Sequence, residues 1–163
     1  MKRLLIVFHS TTGGTRAMAA RAACAARAEA GVETIHRHAD DAGPQDVLEA
    51  DGYIFATPET LAAMSGPMKG FFDRSYYAAL DRVNGRPYVA LICAGSDGQN
   101  AARQIARIAT GWRLKPIQEP VIVCTHAQTT QKILADKMIG EADLRRCSEA
   151  GAAMAAGLAM GIF

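Results

Sequence analysis

Apolar runs recur along the chain at residues 4–8, 32–35, 53–56, 88–93 and 120–124. Several contain almost no polar residue, so the alternation of a half-exposed strand is missing. Strands of a parallel sheet, covered by helices on both faces, carry this pattern. Between the runs the period changes to that of a helix. Met68, Phe71, Phe72 and Tyr76 fall at i, i+3, i+4 and i+8, and Ile105, Ile108, Ala109 and Trp112 at i, i+3, i+4 and i+7. Leu144, Cys147, Gly151, Met154, Ala155 and Leu158 trace one stripe of a closing helix. Such stripes pack on a sheet. An Ala-rich stretch after residue 15 predicts a first helix, and residues 44–50 a short second one. Strand then helix, repeated with short connections, predicts one α/β domain over residues 1–163, a doubly wound parallel sheet with helices on both faces.

In that architecture the site lies beyond the carboxyl ends of the strands, where the strand order reverses. Three loops follow strands there: residues 10–15, 57–64 and 94–99. All are rich in Gly, Ser, Thr and Ala, residues that let a ligand approach the backbone closely.

Composition narrows the classes. The 163 residues are half hydrophobic and carry a formal net charge of +2, with no dense cluster of Lys and Arg, which argues against a nucleic-acid partner. Cys24, Cys93, Cys124 and Cys147 lie far apart, and no C-x-x-C pair exists, so four reduced thiols are expected rather than a zinc site or a disulfide framework. The apolar run at the N-terminus stops after five residues, short of the roughly 7–15 of a signal-peptide core. No run approaches the ~18 apolar residues of a membrane span. A cytoplasmic protein with no membrane partner is expected.

The loop Ser10-Thr11-Thr12-Gly13-Gly14-Thr15 joins a strand to a helix start. The first N–H groups of a helix are unpaired and its dipole favours negative charge, so such a junction binds anions. Gly13 and Gly14 permit a tight turn and close approach. Ser10, Thr12 and Thr15 add hydroxyl donors. The loop itself has no Lys or Arg, and backbone N–H groups can bind phosphate without one. Other phosphate chemistries are excluded in turn. The G-x-x-x-x-G-K-[ST] signature of a P-loop and the dinucleotide fingerprint G-x-G-x-x-G are both absent. His9-Ser10 and Thr57 stand where a phosphoacceptor receiver needs acids. Gln99 stands where a cysteine phosphatase built on Cys93 would need Arg.

The first loop resembles the [ST]-x-T-G-x-T phosphate loop of flavodoxin-like proteins. Residues 56–74, Ala-Thr-Pro-Glu-Thr-Leu-Ala-Ala-Met-Ser-Gly-Pro-Met-Lys-Gly-Phe-Phe-Asp-Arg, resemble the G-T-P-x-x-x-x-x-M-x-x-x-M-K-x-F-x-D segment of WrbA-like NAD(P)H-dependent flavin oxidoreductases. The resemblance spans nearly the whole chain in element order. It implies a flavodoxin-like five-stranded sheet of order 2-1-3-4-5 that binds FMN, with NAD(P)H as electron donor and a quinone or similar small molecule as acceptor. The phosphate would sit among Ser10, Thr11, Thr12, Gly13, Gly14 and Thr15. The isoalloxazine ring would lie between Thr57, Pro58, Glu59, Thr60, Leu61, Ala62 and Met64 on one side and Ala94, Gly95, Ser96, Asp97 and Gly98 on the other. Leu61-Ala62-Ala63 replaces the aromatic-Gly-Asn that WrbA-like proteins usually have, and an inserted segment of that family is missing. Neither ring loop contains an aromatic residue to sandwich the flavin. An open ring face, together with the lack of an acidic surface, favours an oxidoreductase over a flavodoxin-type electron carrier. A free-FMN reductase is a further alternative. A homodimer is expected, since an open flavin often needs a neighbouring chain to complete its site.

No catalytic residue is assigned, because hydride transfer through a flavin needs no protein acid or base. Phe71, Phe72 and Tyr76 are expected in the core and Tyr77 outside it. His9 is expected at the rim of the site, and His36 and His38 in solvent on an edge strand. His126 follows the fifth strand on the side of the site. Asp97 is a candidate cap for the helix after it. Arg103 and Arg107 are expected on solvated helix faces.

Overall fold

The computed structural model describes residues 1–163. A parallel sheet forms from β1 (Lys2–Phe8), β2 (Val32–His38), β3 (Gly52–Thr60), β5 (Pro87–Ala94), β6 (Lys115–Pro116) and β7 (Val121–Cys124), with the two-residue β4 (Ala63–Met64) folded back on β3. The spatial order is β2-β1-β3-β5, with β6 and β7 together forming the fifth position beside β5. This is the predicted 2-1-3-4-5 order, with its reversal between β1 and β3. Residues 117–120 interrupt the fifth strand, because Pro116 and Pro120 remove two ladder donors.

Helices α1 (Gly14–Ala26) and α6 (Glu141–Met160) cover one face of the sheet. Their core is Leu4, Ile6, Ile54, Ala56, Val89 and Leu91 from the strands against Met18, Ala22, Cys147 and Met154. Closely packed Ala residues let α1 and α6 approach so far that a Cβ on Gly151 would lie 2.2 Å from Ala22 O. On the other face, α2 (Pro44–Glu49), α3 (Gly66–Ala79) and α4 (Gln99–Gly111) bury Tyr53, Phe55, Phe71, Phe72, Ile105 and Trp112. Phe55 is the hub, within 6.5 Å centroid distance of Tyr53, Phe71, Phe72, Tyr88 and Trp112. Each strand sends alternate residues to these two cores, which explains why the runs are apolar throughout.

Three expectations change. Tyr76 is 42% exposed rather than core, since the buried stripe of α3 runs through Met68, Phe71, Phe72, Ser75 and Ala79 and leaves Tyr76 beside it. His36 and His38 are half-buried, not solvent-exposed. They share a face of β2 and pack on Phe8, at centroid distances of 4.6 and 5.4 Å, and His9 lies 5.4 Å from His38. Residues 57–64 are less a loop than a hairpin, because β3 continues to Thr60 and pairs back through Thr60↔Ala63 and Glu59↔Met64. A short helix α5 (Thr130–Leu134) also follows the fifth strand, where none was predicted.

Candidate functional site

The carboxyl ends of β1, β3 and β5 open into a cavity of about 500 Å³, a size usual for small-molecule sites at ~300–1,000 Å³. Residues 10–15 form its first wall. Ser10 Oγ accepts a hydrogen bond from Gly13 N at 3.1 Å, which fixes the turn. Gly13 is the N-cap of α1 and has φ +90°, a left-handed conformation that glycine adopts without steric cost. The N–H groups of Thr11, Thr12, Gly14, Thr15 and Arg16 find no acceptor in the protein. Thr15 is 1% exposed and its Oγ1 has no hydrogen-bond partner of good geometry. It lies against the Cys93 thiol. Burial pushes that thiol up, opposed by the Lys137 charge and the Thr15 hydroxyl. A Cβ added at Gly14 would stand 2.6 Å from Cys93 Sγ.

The second and third walls are the β3–β4 hairpin and residues 94–98, and they are tied together. Glu59 Oε1 accepts from Gly98 N at 2.9 Å and Oε2 from Ala101 N at 3.0 Å. One carboxylate from a neighbouring strand thus satisfies two orphan donors at the start of α4 and opposes its dipole. The cap expected of Asp97 is made by Glu59 instead; the Asp97 carbonyl accepts a 3.6 Å bond from Cys124 Sγ. Asn100 Nδ2 donates to Ala62 O at 2.5 Å, and Met64 N donates to Gln104 Oε1 at 2.8 Å. Thr57 is fully buried, and its Oγ1 accepts from Ser65 N at 3.1 Å, closing the base of the hairpin. At the tip, Leu61 and Ala62 have φ of +50° and +60°. A two-residue turn with both φ positive normally takes Asn-Gly, and each non-glycine residue held there costs about 1–2 kcal/mol. Leu61 is also 97% exposed.

Residues 125–137 make the fourth wall. Thr125 N and His126 N donate to Ala94 O and Gly95 O, each at 2.8 Å, and Lys137 N donates to Thr12 O at 2.8 Å. Gln128, Ile133, Leu134 and Lys137 face the cavity, where Lys137 is the sole basic residue and Glu59 the sole acid. Of the residues singled out from the sequence, 10–12, 14–15, 58–62 and 94–96 line the cavity. Gly13, Thr57, Met64, Asp97 and Gly98 do not line it, nor do His9 and His126, and Asp97 and His126 are exposed. The fourth wall escaped sequence reasoning, since residues 125–137 have neither an apolar period nor a Gly-rich signature. Arg103 borders a separate groove of about 280 Å³ beside Pro116 and Glu119.

A family model described as NADPH-dependent FMN reductase matches residues 2–129. The chain belongs to that family. It is 31% identical over 65% of its length to a flavodoxin of Aquifex aeolicus, and 33% identical over 46% of its length to an NAD(P)H dehydrogenase (quinone) of Acidithiobacillus ferrooxidans. These alignments take in 56% and 48% of the two relatives, so the chain spans about half the length of the curated proteins it matches. A solved structure from Agrobacterium tumefaciens, described as a flavodoxin and WrbA-like protein, superposes with a TM-score of 0.72 at 17% identity, over 98% of this chain and 99% of that one. The flavodoxin-like fold and the WrbA-like resemblance both stand. No helix is long and apolar enough to cross a membrane.

The residues present fit the cofactor in the family's name. A phosphate monoester needs several donors converging from one side, and the first wall offers free N–H groups and the unpartnered Thr15 hydroxyl. A flat ring needs two walls without intruding side chains. Here Pro58, Ala62, Ala94 and Gly95 lie at the cavity surface.

Proposed function

We propose that the chain is an FMN-dependent NAD(P)H oxidoreductase whose acceptor is a quinone or similar small molecule. The observation that carries this reading is the buried Thr15 hydroxyl, unpartnered among free N–H groups at the mouth of α1. Ser10, Thr11, Thr12, Gly14 and Thr15 hold the phosphate, and residues 58–62 and 94–96 flank the ring. Bound FMN would supply the redox chemistry of hydride transfer between NAD(P)H and the acceptor. The protein's task is positioning. The Glu59, Asn100 and Gln104 bonds hold the ring walls rigid, so that two planar partners meet at near-contact distance. No aromatic side chain lines the cavity, which leaves one ring face free for the nicotinamide and then for the acceptor. The quinone relative supports this acceptor class.

We further propose a homodimer, with the exposed Tyr76 and Tyr77 of α3 and Leu80 just after it as the contact; sedimentation velocity of wild type against Tyr77→Ser tests it. The free state of all four cysteines fits a cytoplasmic setting.

The test of the main reading is an anaerobic visible spectrum of FMN-loaded protein during addition of NADPH, then NADH. Direct bleaching of the flavin band to the two-electron form supports the oxidoreductase. The Aquifex relative's name favours an electron carrier instead, and a bound flavin indifferent to both nucleotides would establish that. Flavin that is lost on brief dialysis yet turns over with NADPH marks FMN as a substrate.

A further inference from the structure

We infer that Lys137 is the phosphate-recognising cation of this site and selects a phosphate monoester such as FMN over uncharged riboflavin. The assignment rests on the FMN reading and deepens it. The first loop has neither Lys nor Arg, and Arg16 just after it is exposed and outside the cavity lining. The fourth wall brings the missing charge back from more than 120 residues away. Lys137 N is bonded to Thr12 O at 2.8 Å, and Lys137 Cβ would lie 3.3 Å from a Cβ on Gly14. The residue is therefore packed directly on the loop. Its ammonium donates to Ile133 O at 2.8 Å and Ala135 O at 2.5 Å, the carbonyls at the end of α5. An ammonium has three donors, so one remains. Two backbone carbonyls hold the head group in place without neutralising it, and the acid of the cavity, Glu59, is engaged at the other wall by Gly98 N and Ala101 N. Around the phosphate loop, then, stand neutral N–H donors, one unpartnered buried hydroxyl and one positive charge. A doubly charged phosphate monoester matches this set, whereas an uncharged ribityl chain gains nothing from the charge.

The experiment titrates wild type, Lys137→Met and Lys137→Arg with FMN and with riboflavin, following quenching of flavin fluorescence at two salt concentrations. Lys137→Met keeps the aliphatic stem and removes the charge. FMN affinity is expected to fall by roughly ten- to a hundredfold, riboflavin affinity to stay within about twofold, and the salt dependence of FMN binding to flatten. Lys137→Arg restores most of the FMN preference. Equal weakening of both flavins in Lys137→Met makes the residue a structural brace and overturns the assignment, as does an unchanged FMN affinity. Wild type that binds both flavins equally overturns it as well and leaves the FMN site standing. Wild type that binds neither flavin overturns the FMN reading and this assignment together, before any variant is made.

Discussion

Gly14→Ala is the sharpest steric test of the loop. Gly14 opens α1 with an ordinary helical backbone, so alanine is conformationally permitted and only space opposes it. The new Cβ would sit 2.6 Å from Cys93 Sγ, with Lys137 Cβ at 3.3 Å and Ile139 Cδ1 at 3.4 Å. Favourable contacts lie near 3.5–4.0 Å, so either the start of α1 or the buried Cys93 side chain must retreat by about 1 Å. Overpacking of that size costs about 1–3 kcal/mol. For a domain of this length each kcal/mol moves the melting temperature by about 2–4 °C, so a fall of roughly 2–12 °C is expected by calorimetry, with weaker flavin binding alongside. The cause is checked by a double-mutant cycle. Cys93→Ala alone removes a small buried group and costs about 1 kcal/mol. If the Sγ contact is the obstacle, Gly14→Ala in the Cys93→Ala background adds little, and the coupling exceeds ~1 kcal/mol. Additive losses, or a Gly14→Ala protein as stable as wild type, would refute the reasoning.

Other perturbations follow from the same geometry. Ala62→Gly relieves one left-handed residue at the hairpin tip and is expected to stabilise by about 1 kcal/mol in chemical denaturation; a lower midpoint would contradict the strain. Gly151→Ala forces a Cβ to 2.2 Å from Ala22 O, and the resulting overpacking is expected to lower the melting temperature despite alanine's better helix propensity of about 1 kcal/mol. Glu59→Ala leaves Gly98 N and Ala101 N without their acceptor and is expected to cost about 1–2 kcal/mol, read by thermal melting. His36 has its pKa lowered from 6.5, by burial first and by the Arg27 charge second. The unfolded chain thus takes up the proton before the folded one, and stability is full above about pH 6.5 and falls as the pH drops below it. Melting curves from pH 7 to 5 are expected to show this decline, with a shallower slope in His36→Phe; an identical slope would acquit His36.

The sheet was legible because its strands are buried on both faces, and such strands leave continuous apolar runs. The position of the site was legible for the same reason, since strand order and chain order together place residues 10–15, 57–64 and 94–98 at one end. Long-range roles were not. Glu59 sits in a segment that reads as ring-binding, and nothing local reveals that its carboxylate caps a helix some 40 residues away. The hairpin hid because Leu61-Ala62 lacks the Asn-Gly signature of its own turn. His36 and His38 read as edge-strand polar residues until Phe8 is seen beneath them. Lys137 follows a short helix with no core-facing stripe, so its place on the phosphate loop is a tertiary fact only.

The unequal fastening of the walls carries a consequence for exchange kinetics. The hairpin and the start of α4 are cross-linked by four hydrogen bonds from Glu59, Asn100 and Gln104. They are expected to move as one body, with slowly exchanging amides. The far end of residues 125–137 meets the first loop through one backbone bond, Lys137 N to Thr12 O. Opening that single latch, a local event far less costly than unfolding, uncovers the phosphate end of the cavity while the ring walls stay assembled. Amides around residues 130–137 are therefore expected to exchange before those of the hairpin, which hydrogen–deuterium exchange would check.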